Sequence, residues 1–199
     1  MKAVGAHPGL RERKKRATRR ALEDAALRLA LDRGVDGVTV EDICAEVNVS
    51  ARTFFNYFPS KERALVGEGP VRFDEDVIRE LADGNGREGL LDDLRELLRH
   101  KAAEAADRRE DLICRRQLVE QCPPLLPLLL EKFDEYERTL TEAIARRVGT
   151  DPEEDPYPQL VAGVVGTVMR VSFRRWVTVG GRSLPEEVDR AFTLVTRGL

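Results

Sequence analysis

An all-α fold is predicted, and three observations lead there. Apolar residues recur every three or four positions through most of the 199 residues. Ser, Thr and Pro stand where these runs begin, and Gly or Asn where they stop. Only 6% of residues are aromatic while 35% are charged, which suits amphipathic helices and excludes a sandwich or a disordered chain.

Residues 1–10 (MKAVGAHPGL) are expected to be a disordered tail, and they lack the apolar core of a signal peptide. A long amphipathic helix is predicted from Arg11 to Arg33, its inner face made by Leu22, Ala25, Ala26, Leu29 and Ala30, with Gly34 as its stop. Residues 38–61 (VTVEDICAEVNVSARTFFNYFPSK) predict two short helices joined by a tight turn, with a third starting at once. Thr39 caps the first, with Glu41 and Asp42 in its opening turn. Val38 and Ile43 have hydrophobic-staple spacing around that cap. Ser50 repeats the arrangement for the second helix, with Val49 and Phe54 as its pair. Asn48 lies between the two, and Asn tolerates the left-handed backbone that ends a helix. Val40, Ile43, Cys44 and Val47 share a face, as do Phe54 and Phe58. That leaves Arg52, Thr53, Asn56 and Tyr57 directed away from the core.

Two short helices with an exposed polar face make a helix-turn-helix, the form of a DNA reader; the plain alternative is a helical hairpin in a bundle core. Three neighbours favour DNA. Residues 11–20 (RERKKRATRR) hold seven bases and one acid. Lys61 and Arg63 occupy the first turn after the Ser60 cap, where a cation calls for a nearby anion. Arg52, Thr53 and Asn56 are side chains that hydrogen-bond base edges and phosphates. Charge is also divided: residues 1–63 hold thirteen Lys or Arg against nine Asp or Glu, and the remainder twenty against twenty-seven. A positive first third on an acidic body suits docking of one end on a polyanion.

Gly67, Gly69 and Pro70 predict a break and a domain boundary, giving a domain at 11–66 and a second at 67–199. The second should be helical throughout: 71–82, 88–106, 111–121, a long helix from Pro124 to Val148, then 157–179 and a last helix from near Pro185. The segment 157–179 is rich in Val, yet its length argues for helix over strand. In it Val161, Gly163, Val164, Gly166 and Val168, with Val165 and Met169, form a candidate dimer face, since interior Gly weakens a helix and calls for a packing reason. Arg116, Phe133, Tyr136 and Phe173 are candidate effector contacts. For the α-helical valines and glycines and for the aromatics the alternative is ordinary subunit core; for Arg116 it is a solvated or salt-bridged side chain.

Cys44, Cys114 and Cys122 are odd in number and at no metal spacing; idle thiols are expected, with a Cys114–Cys122 switch as the alternative. No cofactor or metal is expected. Enzyme chemistry finds no support: His7 and His100 are isolated, no phosphate loop or nucleophile elbow appears, and Asp92–Asp93 and Glu153–Glu154 read as solvated acids. No apolar run approaches a membrane span, so a cytoplasmic location without membrane contact is expected.

The basic helix followed by VTVEDICAEVNVS and ARTFFNYFPSKERAL resembles the N-terminal domain of the TetR family of transcriptional regulators. The resemblance covers Arg13 to Leu65, and its most specific part is Val49 to Lys61. It implies an all-α homodimer with two DNA-reading ends on a near-palindromic double-stranded operator, repression as the usual mode, and a C-terminal domain for dimerisation and effector binding. Thr39 would then contact phosphate, Ser50, Arg52, Thr53 and Asn56 would face the major groove, and Tyr57 and Lys61 would hold the backbone. Phe55 departs from a frequent Tyr and cannot donate to phosphate; Asn48 replaces a frequent Gly. The C-terminal order RRQLVEQCPPL, ARRVG, an acidic DP-rich loop and RRW resembles the mycofactocin-type regulators, implying an acyl-CoA-like or other hydrophobic effector. The rival account is a helical effector-binding or interaction protein with a non-functional reading head.

Overall fold

The computed structural model describes residues 10–68 and 73–198, and among them every regular element is helical. The helices are α1 (Leu10–Arg33), α2 (Val40–Val47), α3 (Ala51–Phe55), α4 (Lys61–Val66), α5 (Glu75–Ala82), α6 (Leu90–Ala105), α7 (Arg109–Gln121), α8 (Leu126–Val148), α9 (Tyr157–Thr178) and α10 (Leu184–Arg197). The expected tail, His7 included, lies outside the described residues apart from Leu10, which already belongs to α1. Gly67 ends α4, whereas Gly69, Pro70 and the expected helix start at Val71 also lie outside them. No described helix is long and apolar enough to cross a membrane.

The chain packs as two compact units. The first takes in residues up to Gly67 together with Glu110–Leu129. Its core joins Leu22, Ala26, Ile43, Phe54, Phe58 and Leu65 to Leu118, Val119 and Leu125. Most of α7 thus packs with the N-terminal helices, although the sequence placed it beyond a boundary near residue 66. Each fully buried Phe or Leu contributes about 1.5–3 kcal/mol relative to exposure.

A buried arginine binds α7 into this unit. Arg115 Nη1 donates to the carbonyls of Ala64 (3.0 Å) and Leu65 (2.6 Å), near the end of α4. Its Nη2 lies 3.7 Å from Asp24 and 4.0 Å from the buried carboxylate of Glu23, both on α1. The partial negative charge at a helix C-terminus suits a guanidinium there. Gly67 leaves the space: a Cβ on it would stand 2.9 Å from Arg115 Nη1, and its φ of 64° and ψ of −163° belong to glycine territory. Gly67→Ala is therefore expected to cost about 1–3 kcal/mol from backbone conformation alone. A urea-denaturation midpoint unchanged from wild type would contradict this.

The second unit holds α5, α6, most of α8, α9 and α10. Helix α10 packs on α6 and on α9. Leu90, Leu94, Leu98, Ile144, Val165, Leu184, Val188 and Phe192 are buried within it. Arg147 organises the loop between α5 and α6: Nε donates to Gly86 O (3.0 Å), Nη2 to Glu88 O (3.1 Å), and Nη1 pairs with Asp93 (2.7 Å). Ser183 caps α10 in a capping box with Glu186, whose carboxyl is held below its usual range by hydrogen bonds from the Ser183 backbone and side chain.

Candidate nucleic-acid interface

The reading head rests on local caps. Thr39 Oγ1 accepts from Asp42 N (3.1 Å), while the Asp42 carboxylate accepts from Thr39 N (3.0 Å) and Thr39 Oγ1 (2.6 Å). These bonds lower the Asp42 pKa, the side-chain bond most, followed by the backbone bond. The Thr39 hydroxyl proton is therefore directed at Asp42, and a phosphate would compete with the cap for it. Asn48 adopts φ 57°, ψ 49°, the only positive φ of a non-glycine residue among the described residues. It ends α2 and turns the chain toward Ser50, as its residue type predicts. Burial pushes the Cys44 thiol pKa up, with Glu41 adding to the effect, as suits an inert core residue.

Ser50 Oγ caps α3 by accepting from Thr53 N (3.1 Å) and shares a hydrogen bond with Thr53 Oγ1 (2.9 Å). That shared bond uses one of the two hydroxyl protons. Phe54 and Phe58 anchor the segment from beneath, both fully buried with ring centroids 5.7 Å apart. Arg52 and Asn56 are exposed, and Thr53 is half-buried. Asn56 stands just past α3 as its C-cap. Tyr57 is half-buried against the core, and its carbonyl accepts from Arg19 Nη1 (3.2 Å).

The basic segment divides in two. Arg11, Arg13, Lys14 and Lys15 are exposed along α1. Arg19 turns inward instead, its guanidinium 4.5 Å from the Phe58 ring centre and its Nε 3.6 Å from Glu23. Lys61 is likewise engaged: Nζ donates to Val35 O (2.9 Å) and Val38 O (2.8 Å). Those carbonyls supply part of the negative charge that a cation in the first turn of a helix requires. An ammonium has three N–H donors, so one remains beyond these two bonds.

The expected dimer face is divided by α9 itself. Val161 and Val168 are buried, as are Val165 and Met169, because they share the inner face with Ser172 and Trp176. They are core, in contrast to the expectation. Val164 and Gly166 are exposed and Gly163 is half-exposed. Leu160, not singled out from sequence, is 65% exposed four residues before Val164, and Leu194 of α10 is 56% exposed.

The candidate effector residues are divided too. Arg116 is on α7 in the first unit, where Nε pairs with Glu120 at 2.8 Å near the surface. The buried arginine of the pair is Arg115. Phe133, Tyr136 and Phe173 belong to the second unit. Tyr136 donates its hydroxyl to Glu68 O and meets Phe73 edge to face, 5.9 Å between ring centres. Phe173 lies 5.9 Å from Trp176, and Phe133 is exposed. Cys114 and Cys122 are half-buried free thiols against the first core.

Comparison with known proteins bears on the whole chain. The family described as "MftR C-terminal domain" matches residues 88–199, more than half of the sequence, and "Bacterial regulatory proteins, tetR family" matches residues 22–66. The chain belongs to the TetR family. Like other TetR-family members it is a DNA-binding transcriptional regulator. It is 37% identical over 177 residues to the HTH-type transcriptional regulator TcmR of Streptomyces glaucescens, covering 85% of this chain and 77% of TcmR. A Mycobacterium tuberculosis regulator assigned to mycofactocin biosynthesis, MftR, is 27% identical over 190 residues, with 94% and 93% covered. Two solved TetR-like structures share the fold. Thermus thermophilus FadR, a TetR-family repressor in complex with lauroyl-CoA, aligns with TM-score 0.53 at 24% identity over 91% of this chain and 94% of its own. The fatty acid degradation regulator FadR of Bacillus halodurans aligns with TM-score 0.51 at 18% identity over 92% and 96%.

Proposed function

We propose that this TetR-family regulator is a cytoplasmic homodimeric repressor of a near-palindromic operator, released by a hydrophobic, acyl-CoA-like effector. The observation that carries the proposal is the exposed pair Arg52 and Asn56 on a capped, core-anchored helix-turn-helix, with exposed bases on α1. One α3 offers few base contacts, so a two-fold dimer doubles them and dictates half-site spacing. Leu160, Val164 and Leu194, with Gly163 and Gly166 for close backbone approach, are the residues proposed to meet the second copy. Phe133, Tyr136 and Phe173 are the proposed effector contacts in the second unit, and the lauroyl-CoA bound by the Thermus relative suggests the ligand class. Release requires that the effector bind the DNA-incompetent state more tightly than the competent one. The activity is binding rather than catalysis.

Duplexes selected by the full-length protein from a random pool test this reading. Inverted half-sites should emerge, bound by two chains on sedimentation, and a medium- or long-chain acyl-CoA should release them. A selected site without two-fold repetition would overturn the dimeric account. A backbone role for Lys61 has its own signature. Lys61→Gln should lower the slope of log affinity against log salt by about one per subunit. A wild-type slope with reduced thermal stability would leave Lys61 as a brace for the Val35 and Val38 carbonyls alone.

A further inference from the structure

Phe55 is an apolar side chain on a polar surface. Among the described residues of α2, α3 and α4 it is the only large hydrophobic one left exposed, at 55%. Its ring stands at 90° to that of the buried Phe54, with centroids 5.5 Å apart. Arg52, Phe55 and Asn56 are spaced i, i+3 and i+4, which places them on one side of this short segment. The exposed ring therefore flanks Arg52 on the side opposite Asn56, about 60° around the helix from the arginine.

Such a ring cannot donate to a phosphate. Facing a major groove, its best apolar partner is the C5-methyl group of thymine, a substituent that no other base presents there. We infer that Phe55 is a specificity-determining residue that packs on a thymine methyl group, selecting thymine over cytosine at one position of each half-site. The inference rests on the placement of α3 in the groove given under Proposed function. It adds recognition by burial of apolar surface to the hydrogen bonding of Arg52 and Asn56. A ring lying instead on deoxyribose would add affinity without sequence preference.

The test is a deoxyuridine scan of a duplex selected by the full-length protein. Replacing thymine by deoxyuridine removes the methyl group and leaves the Watson–Crick edge unchanged. At one thymine of a half-site, wild type should lose affinity roughly fourfold, the transfer free energy of one buried methyl-sized group, and about fifteenfold when both half-sites carry the substitution. Phe55→Ala should bind the parent duplex more weakly and be indifferent to that same substitution. Should the alanine variant melt lower than wild type, Phe55→Leu serves as the second variant and should keep part of the uracil sensitivity. Wild-type affinity unchanged at every substituted thymine overturns the inference, and so does an equal loss in wild type and Phe55→Ala. Arg52→Ala and Asn56→Ala on the parent duplex separate the two levels. If both bind like wild type, the groove placement fails and the inference with it. If they weaken binding while uracil has no effect, only the role of Phe55 falls.

Discussion

Arg115→Ala is expected to destabilise the protein by about 3–5 kcal/mol, the range for breaking a buried ion pair by removing one partner. The guanidinium is buried, it satisfies the Ala64 and Leu65 carbonyls, and it faces the buried Glu23 carboxylate. Truncation strips two carbonyls of a donor and removes a positive charge beside a carboxylate. Arg115→Met, which restores most of the volume, should recover little, because the loss is electrostatic and not a matter of packing. Urea denaturation of both variants measures this, and a change below about 1 kcal/mol in each would show that the cluster compensates. Coupling to Gly67 gives a second check. If part of the Gly67→Ala penalty is the close approach to Nη1, that penalty should shrink in an Arg115→Ala background, while the part owed to positive φ persists.

Arg52→Ala should have the largest effect on operator recognition. A good bidentate base contact contributes roughly 1–3 kcal/mol of discrimination, and a two-fold dimer makes each contact twice, so about 2–6 kcal/mol is expected in specific binding. Non-specific affinity should fall much less, since it depends on total phosphate contacts. Arg52 is exposed at the surface of α3, so the fold should be unaffected. Asn56→Ala should behave similarly. The measurement is affinity for the selected duplex and for scrambled DNA at one stated salt concentration. Equal losses on both would assign Arg52 to the backbone instead of a base.

The parts of the molecule that sequence made legible are those fixed within a few residues. Thr39, Asn48, Ser50 and Ser60 each act on backbone groups at most four positions away, and all four cap as their types predict. The apolar spacing of 157–179 gave a helix despite its valines, because β-branching shifts a preference by tenths of a kcal/mol while a 22-residue helix buries eight residues. What failed to show was anything decided at long range. Arg115 and Arg116 are adjacent and chemically identical; what distinguishes them is partners far back in the chain, the Ala64 and Leu65 carbonyls and the carboxylates of Glu23 and Asp24. Val161 and Val164 likewise differ only in which side meets the rest of the unit. Lys61 carried a real signal, a cation at a helix start, but the carbonyls of Val35 and Val38 answer it within the chain. Phe55 was noticed for the hydroxyl it lacks, and its exposure required coordinates.

The packing of α7 among the N-terminal helices has a practical corollary for engineering. A reading head cut out at residue 67 would lose Leu118, Val119, Leu125 and Arg115 together, uncovering apolar surface and removing one of the cations beside Glu23. Hybrid regulators made by swapping DNA specificities between relatives should therefore carry a matching 110–129 segment with the transplanted head, or accept a donor whose α7 presents an arginine to the same two carbonyls.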